Sequence, residues 1–465
     1  MLLHRYLGVV LGALMLLWCL SGVVMVFVRY PQVRPEDRLV TLPPISWSRC
    51  CDFGEVLPGP VRLEAASVED FAGVPVLRLH TAGGERHVID LSRGRPLPDV
   101  TVATARLVAA RHAGYSGASR ATAVERDQWT VTGYFNSYRP FWRVRLADGR
   151  GTDVYVSRRT GEVVQQTTAA TRALNWLGSI PHWLYPAALR QNTALWSQVV
   201  IWTSLLGAFL TVTGLYLGLM AWRPSDDAGP SPYRGLMTWH HLTGLATGLL
   251  TLAWVTSGLL SMNPWGLLES PPDPAEARLK GEAPTFADLQ TALADFAASN
   301  APAAHVEMAR LQGGLFLLNG DQRCDARARP APMTAAELAA AGNSLGNVAS
   351  QGMIRVEDGY YFSHHDLVRL PAWRVITHTG SRYYLDPRTG ILLASFDAPA
   401  RTYRWLHLGL HRLDVVPGLR AGPGWSAAMV LLLAAVSFGV GTGVWLAWRR
   451  ALNDLRGLRR RTKPR

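Results

Sequence analysis

Four histidines occupy positions that recur within the chain, each beside glycines at matching distances. His4, Gly8 and Ser21-Gly22 share their spacing with His240, Gly244 and Ser257-Gly258. At about 3.6 residues per turn, Gly244 lies one turn and Gly258 five turns from His240, so the three share one helix face. A second series starts at Gly161 and Gly390 and runs without a gap through Trp176 and Trp405, His182 and His411, to Thr213-Gly214 and Thr442-Gly443. Neutral imidazole is a good iron ligand, and glycine lets a flat ring approach a helix backbone. Imidazoles converging from opposite helices suit axial ligation of a macrocycle such as haem, and two such sites at two depths would form an electron path.

The elements that must position these residues are membrane spans. The chain has 465 residues, 48% hydrophobic and only 17% charged, a balance that places part of it in lipid. Residues 7–28, 196–221, 242–260 and 425–448 are each long enough to cross a hydrocarbon core of about 30 Å. The last eighteen residues carry eight Lys/Arg against one Asp, which is +7 of the formal +13. Short basic flanks stay cytoplasmic, so both termini are expected there, with Arg5, Arg223 and Arg234 on the same side. A polybasic tail beside a span contacts anionic lipid rather than nucleic acid. The first span lacks a small-x-small cleavage site after residues 27–30 and reads as an uncleaved anchor.

In chain order the expected organisation is span one (1–29), an external domain (30–171), an interfacial segment with span two (172–223), and a cytoplasmic loop (224–236). Span three (237–263), a second external domain (264–400), an interfacial segment with span four (401–448) and a basic tail (449–465) follow. Residues 30–60 and 263–284 are proline-rich and read as linkers. Helical spacing marks 103–112 and 285–299, while 128–131, 142–146, 153–156, 373–375 and 383–385 read as strands. Turn signals stand at Asp148-Gly149, Thr160-Gly161 and Thr389-Gly390. The fold class is therefore membrane α-helical, four transmembrane helices in two parallel repeats, with two small α+β extracytoplasmic domains. Parallel repeats are related by an axis along the membrane normal, so His4 should share a depth with His240, and His182 with His411.

Plainer explanations stand beside each residue. A lone histidine at a membrane interface commonly serves as an amphipathic anchor, and glycines such as Gly8 and Gly244 commonly serve helix packing. The repetition weighs against both, because ionisable groups in membrane helices are costly and seldom occur as matched pairs without a partner. His241 aligns with Arg5 and His407 with Gly178, so neither has a symmetry mate, although each is a rival ligand within its cluster. His364-His365-Asp366 reads as a solvated polar turn with a possible metal role. Of the four cysteines, Cys50, Cys51 and Cys324 fall outside the cytoplasm, where a bridge from Cys50 or Cys51 to Cys324 would tie the two external domains together.

The His-x-x-x-Gly opening, the Ser-Gly end, the WRV and DPRTG signatures, and WLHLGLH entering a helix that ends in TGVWLAW together resemble the PepSY-associated transmembrane family. The resemblance covers nearly the whole chain. It implies an inner-membrane reductase of ferric siderophores, with PepSY-like periplasmic domains and b-type haems held by histidines; the paired histidines of this chain would hold two, each between two imidazoles. Family motifs map onto His4, His240 and His411, whereas His182 stands in a Pro-His-Trp context that departs from the pattern. No flavin or nicotinamide signature is evident, so the donor would be the quinone pool or a cytoplasmic reductase. The other readings are a transporter relaying protons through histidines, weakened by spans free of Asp, Glu, Lys and Arg, and a non-catalytic regulator anchored by its helices.

Overall fold

The computed structural model describes residues 2–57, 59–222, 231–364, 368–416, 420 and 422–461, with side chains to residue 456. Four long helices, Leu2–Phe27, Thr193–Ala221, Leu236–Leu260 and Gly422–Arg461, form the spans. Uncharged apolar runs of this length adopt helix in lipid because only helix satisfies every backbone N–H and C=O within the segment. The second begins at a defined cap, where the Asn192 side chain accepts from the Leu195 amide. The first and third start a few residues earlier than the apolar runs do, so His4 and His240 lie within helix.

The four helices close a bundle in which the first packs on the fourth and second, and the third packs on the second and fourth. Glycines set how near they come: a Cβ at Gly12 would lie 3.0 Å from Val444, one at Gly207 3.3 Å from Val255, and one at Gly439 3.0 Å from Thr243. Small residues at crossings suit membrane helices, which associate by close packing rather than by the hydrophobic effect. Tyr6 donates to Asp454 at 2.9 Å, so both chain termini lie at one end of the bundle.

The strands lie at the other end. The segment between the first and second spans supplies Leu63–Phe71 (β1), Val74–Thr81 (β2), Arg86–Asp90 (β3), Arg95–Pro96 (β4), Ser119–Val124 (β5), Phe141–Leu146 (β6), Asp153–Ser157 (β7) and Val163–Thr167 (β8). That between the third and fourth supplies His305–Leu311 (β9), Gly314–Asn319 (β10), Gln322–Asp325 (β11), Val348–Ile354 (β12), Ala372–Thr377 (β13), Arg382–Leu385 (β14) and Leu392–Phe396 (β15). β5 to β8 and β12 to β15 form two similar four-stranded antiparallel meanders, backed by helices Val102–Ala113 and Ala335–Ser344. The remaining strands merge into one seven-stranded sheet, β11-β10-β9-β1-β2-β3-β4, in which β1 pairs antiparallel with β9 across the two segments. Helix Phe286–Ala298 packs on this shared sheet, placing Phe286, Leu289 and Phe296 against Leu63, Val68 and Leu77 of the other segment. Its start is held by reciprocal bonds between Thr285 and Asp288.

Several sequence expectations change here. Residues 128–131 form turns rather than a strand, because Thr130 and Trp129 bond to the Asp127 carboxylate instead of to a neighbouring strand. Residues 30–60 are not a solvated linker: Ile45 and Trp47 are buried in the core beneath helix Phe286–Ala298. Helix Pro274–Lys280 likewise buries Ala275 and Leu279 within the second proline-rich stretch. No bridge joins Cys50 or Cys51 to Cys324. Cys50 and Cys51 are bonded to each other, and Cys324 on β11 is a buried free thiol. Strand pairing and a common core, not a disulfide, tie the two strand-bearing segments together.

Candidate functional site

Two histidine couples stand at the two ends of the helix bundle. His182 ends the short helix Ser179–His182, which Gly178 brings against the first span: a Cβ there would lie 3.0 Å from Val24 Cγ1. Its Nδ1–H donates to the Trp18 carbonyl at 3.0 Å, with Ser21 Oγ at 3.3 Å. His411 lies in the turn Leu410–Arg412, after a π-helical stretch, Arg404–Gly409, that also carries His407. Ser257 Oγ donates to the Trp254 carbonyl and so accepts from His411 Nδ1–H at 3.0 Å. The His182 and His411 rings approach to 6.0 Å between centroids, at 72° between planes.

At the end carrying the termini, His4 Nδ1–H donates to the Leu210 carbonyl at 3.2 Å, beside Thr213 Oγ1 at 3.3 Å. His240 repeats this with the Gly439 carbonyl at 3.1 Å and Thr442 Oγ1 at 3.4 Å. Each ring fills the space left by a glycine: a Cβ would stand 2.7 Å from His4 Cε1 at Gly214, and 2.5 Å from His240 Cε1 at Gly443. Both imidazoles line a cavity of about 480 Å³, within the range of small-ligand sites. Gly8 and Gly244 also line it, and a Cβ at Gly244 would meet nothing within 4 Å.

In all four histidines a backbone carbonyl or an already donating hydroxyl accepts from Nδ1, which fixes the neutral tautomer with its lone pair on Nε2. No hydrogen bond engages those four Nε2 atoms among the described residues. Each Nδ1 bond stays within one half of the chain, whereas the His182 and His411 rings approach across the halves and His4 and His240 line one cavity. A carbonyl or hydroxyl that holds Nδ1–H while Nε2 stays free of hydrogen bonds fixes the ring orientation that a metal-binding histidine needs.

The two rivals resolve differently. His241 donates from Nε2 to the Gly218 carbonyl at 2.9 Å and accepts at Nδ1 from Ser231 Oγ at 2.9 Å, which leaves neither nitrogen open, although the residue lines the cavity. His407 donates from Nδ1 to the Ser257 carbonyl at 2.7 Å, and its ring stands 5.6 Å from that of His411. His411 therefore has two imidazole neighbours, His407 at 5.6 Å and His182 at 6.0 Å.

A cluster that the sequence did not signal lies next to this couple. His364, read as part of a solvated turn, is buried: its Nε2 lies 2.8 Å from Asp414 Oδ2, while Arg404 Nη1 lies 2.8 Å from Asp414 Oδ1. Burial pushes the Asp414 carboxyl up, but the His364 hydrogen bond and the Arg404 charge outweigh it and hold the group below its ordinary value. The fifty residues separating His364 from Asp414 hide the pairing from any local pattern. His365 and Asp366 lie outside the described residues.

Among the described residues, no three or more His, Cys, Asp or Glu side chains converge as a cage for a bare metal ion. The couples offer two nitrogens each, a donor set that suits a metal already held in the plane of another ligand. No curated protein matches the chain. With four apolar helices, a histidine at the start of the first and third, and strands from both intervening segments, the chain matches over residues 1–450 the PepSY-associated TM region, and it belongs to that family of membrane proteins.

Proposed function

We propose that this protein is a transmembrane electron conduit that binds two b-type haems and reduces ferric siderophores or similar iron(III) complexes in the periplasm. The carrying observation is the common state of four histidines, two from each half of the chain: Nδ1–H is anchored within its own half, and Nε2 has no hydrogen bond among the described residues. The 6.0 Å between His182 and His411 supports that reading for the outer couple. For the inner couple the support is a glycine-lined cavity beside His4 and His240.

His182 and His411 would hold the outer haem, and His4 and His240 the inner one. Bound haem supplies a one-electron couple. The chain's own residues do the rest: Ser21, Ser257, Thr213 and Thr442 orient the imidazoles, and the spans exclude water and keep each imidazole neutral. His4 and Ser21 are separated by about 25 Å of helix rise, so the couples serve opposite faces of the bilayer. The basic tail supports a reading in which the termini and the inner couple lie on the cytoplasmic side of a bacterial inner membrane, with the strands in the periplasm. Electrons would enter from the quinone pool or a cytoplasmic reductase.

The test is an absorbance spectrum of detergent-purified protein, oxidised and dithionite-reduced. A reducible b-type spectrum is expected, with roughly half of it lost in His411→Ala if each couple holds one haem. A colourless protein, or a His411→Ala variant with an unchanged spectrum, overturns the assignment. Vesicles loaded with a reductant should then turn an external ferric siderophore into iron(II) that a ferrous chelator captures.

A further inference from the structure

We propose that Arg5 and Arg450 form the carboxylate-binding end of the inner cavity and take the two propionates of the macrocycle held by His4 and His240. The inference rests on the haem reading above and adds the orientation of the ring within its site.

The cavity is asymmetric along the bundle. Its deeper end is walled by Met15, Leu210 and Thr251, whereas Arg5 and Arg450 stand at the end nearer the chain termini. Arg5 follows His4 directly. Arg450 lies seven residues beyond Gly443, the glycine facing His240, and so about 10 Å along the same helix toward the termini. Both arginines thus line the half of the cavity nearer the chain termini, beside the two imidazoles and away from Met15 and Thr251.

Arg5 has no ion pair or hydrogen bond among the described residues. Arg450 gives Nε to Asp454 at 3.2 Å, and the same carboxylate accepts from Tyr6. No interaction engages its terminal nitrogens among the described residues. A guanidinium's planar fork matches a carboxylate, and Arg450, 58% exposed while lining the cavity, can meet an anion at the mouth. One Asp against two arginines leaves positive charge at the mouth. A flat, apolar ring with two carboxylates on one edge fits apolar walls, two open Nε2 atoms and two cations at one end. A lipid phosphate entering the same mouth would share the anionic chemistry but not the demand for a second carboxylate or for the imidazoles.

The test uses full-length protein, its Arg5→Gln/Arg450→Gln double variant and the Arg5→Lys/Arg450→Lys control, depleted of haem and reloaded with haem b or its dimethyl ester. Wild type should bind haem b at the inner site at least roughly tenfold more tightly than the ester, the double variant should bind both alike, and the lysines should restore discrimination. The midpoint potential of the inner haem should shift in the double variant, while that of the outer haem, an internal control for folding, stays put. Equal binding of haem b and ester by wild type overturns the arginine assignment and leaves the haem reading standing. So does anionic-lipid binding that needs the arginines without any ester discrimination. Wild-type protein that takes up no haem overturns both.

Discussion

Ser257 holds His411 through its hydroxyl at 3.0 Å, and its backbone carbonyl accepts from His407 at 2.7 Å, so one buried residue of the third span orients two imidazoles. Ser21 stands in the matching position of the first span, toward His182. Loss of an outer-shell partner typically costs 10–100-fold in metal affinity. Ser257→Ala should therefore weaken outer haem retention by roughly tenfold while the inner haem stays bound. Haem titration of the depleted variant checks this, and equal affinities at both sites would count against a role for the hydroxyl.

Glycines of the inner cavity should separate into two kinds. Gly443→Ala places a Cβ 2.5 Å from His240 Cε1, so the ring must move and inner haem binding should fall. Gly244→Ala meets nothing within 4 Å and should leave binding intact, whereas Gly244→Leu fills the cavity and should exclude the ring. Absorbance per protein across the three variants reads the difference. A Gly244→Leu protein with full haem content would mean that the ring sits elsewhere.

Thiol chemistry gives an independent check on the external region. Cys50 and Cys51 are joined to each other and Cys19 and Cys324 are free, so a single peptide should carry the linkage, and unfolding without reductant should expose only the other two thiols. Mass mapping after alkylation decides it. A cross-linked peptide containing Cys324 would refute the pairing.

Acid should weaken the external domain through Glu69. Burial alone raises this carboxyl, but Arg78 and Arg38 outweigh it and hold it at about 2 against an ordinary 4.5. A depressed carboxylate stabilises the fold above its unfolded value, and that contribution is lost as pH falls from 4.5 toward 2. Glu69→Gln leaves Arg38 and Arg78 with Glu162 as their remaining carboxylate and should cost on the order of 3 kcal/mol at pH 7. Urea unfolding followed by tryptophan fluorescence should find the gap from wild type narrowing between pH 5 and pH 3, by roughly the share of Glu69 that becomes protonated. A gap constant with pH would exclude Glu69 as the source.

The spans, the recurrence of His4 with His240 and of His182 with His411, and the family all follow from the chain alone. Apolar run length and residue spacing are local properties, written in consecutive letters, and lipid leaves helix as the outcome. The tertiary structure decided what depends on residues far apart in the chain. The Leu210 and Gly439 carbonyls select the tautomers of His4 and His240, and Ser231 and Gly218 occupy both nitrogens of His241. The external segments, read as two domains, share a sheet because β1 and β9 bury Val68 and Val306 in a common core. Spacing along a sequence says which residue types recur, but a hydrogen-bond partner or a strand neighbour is chosen by packing across hundreds of residues, and only the folded chain brings those groups within reach.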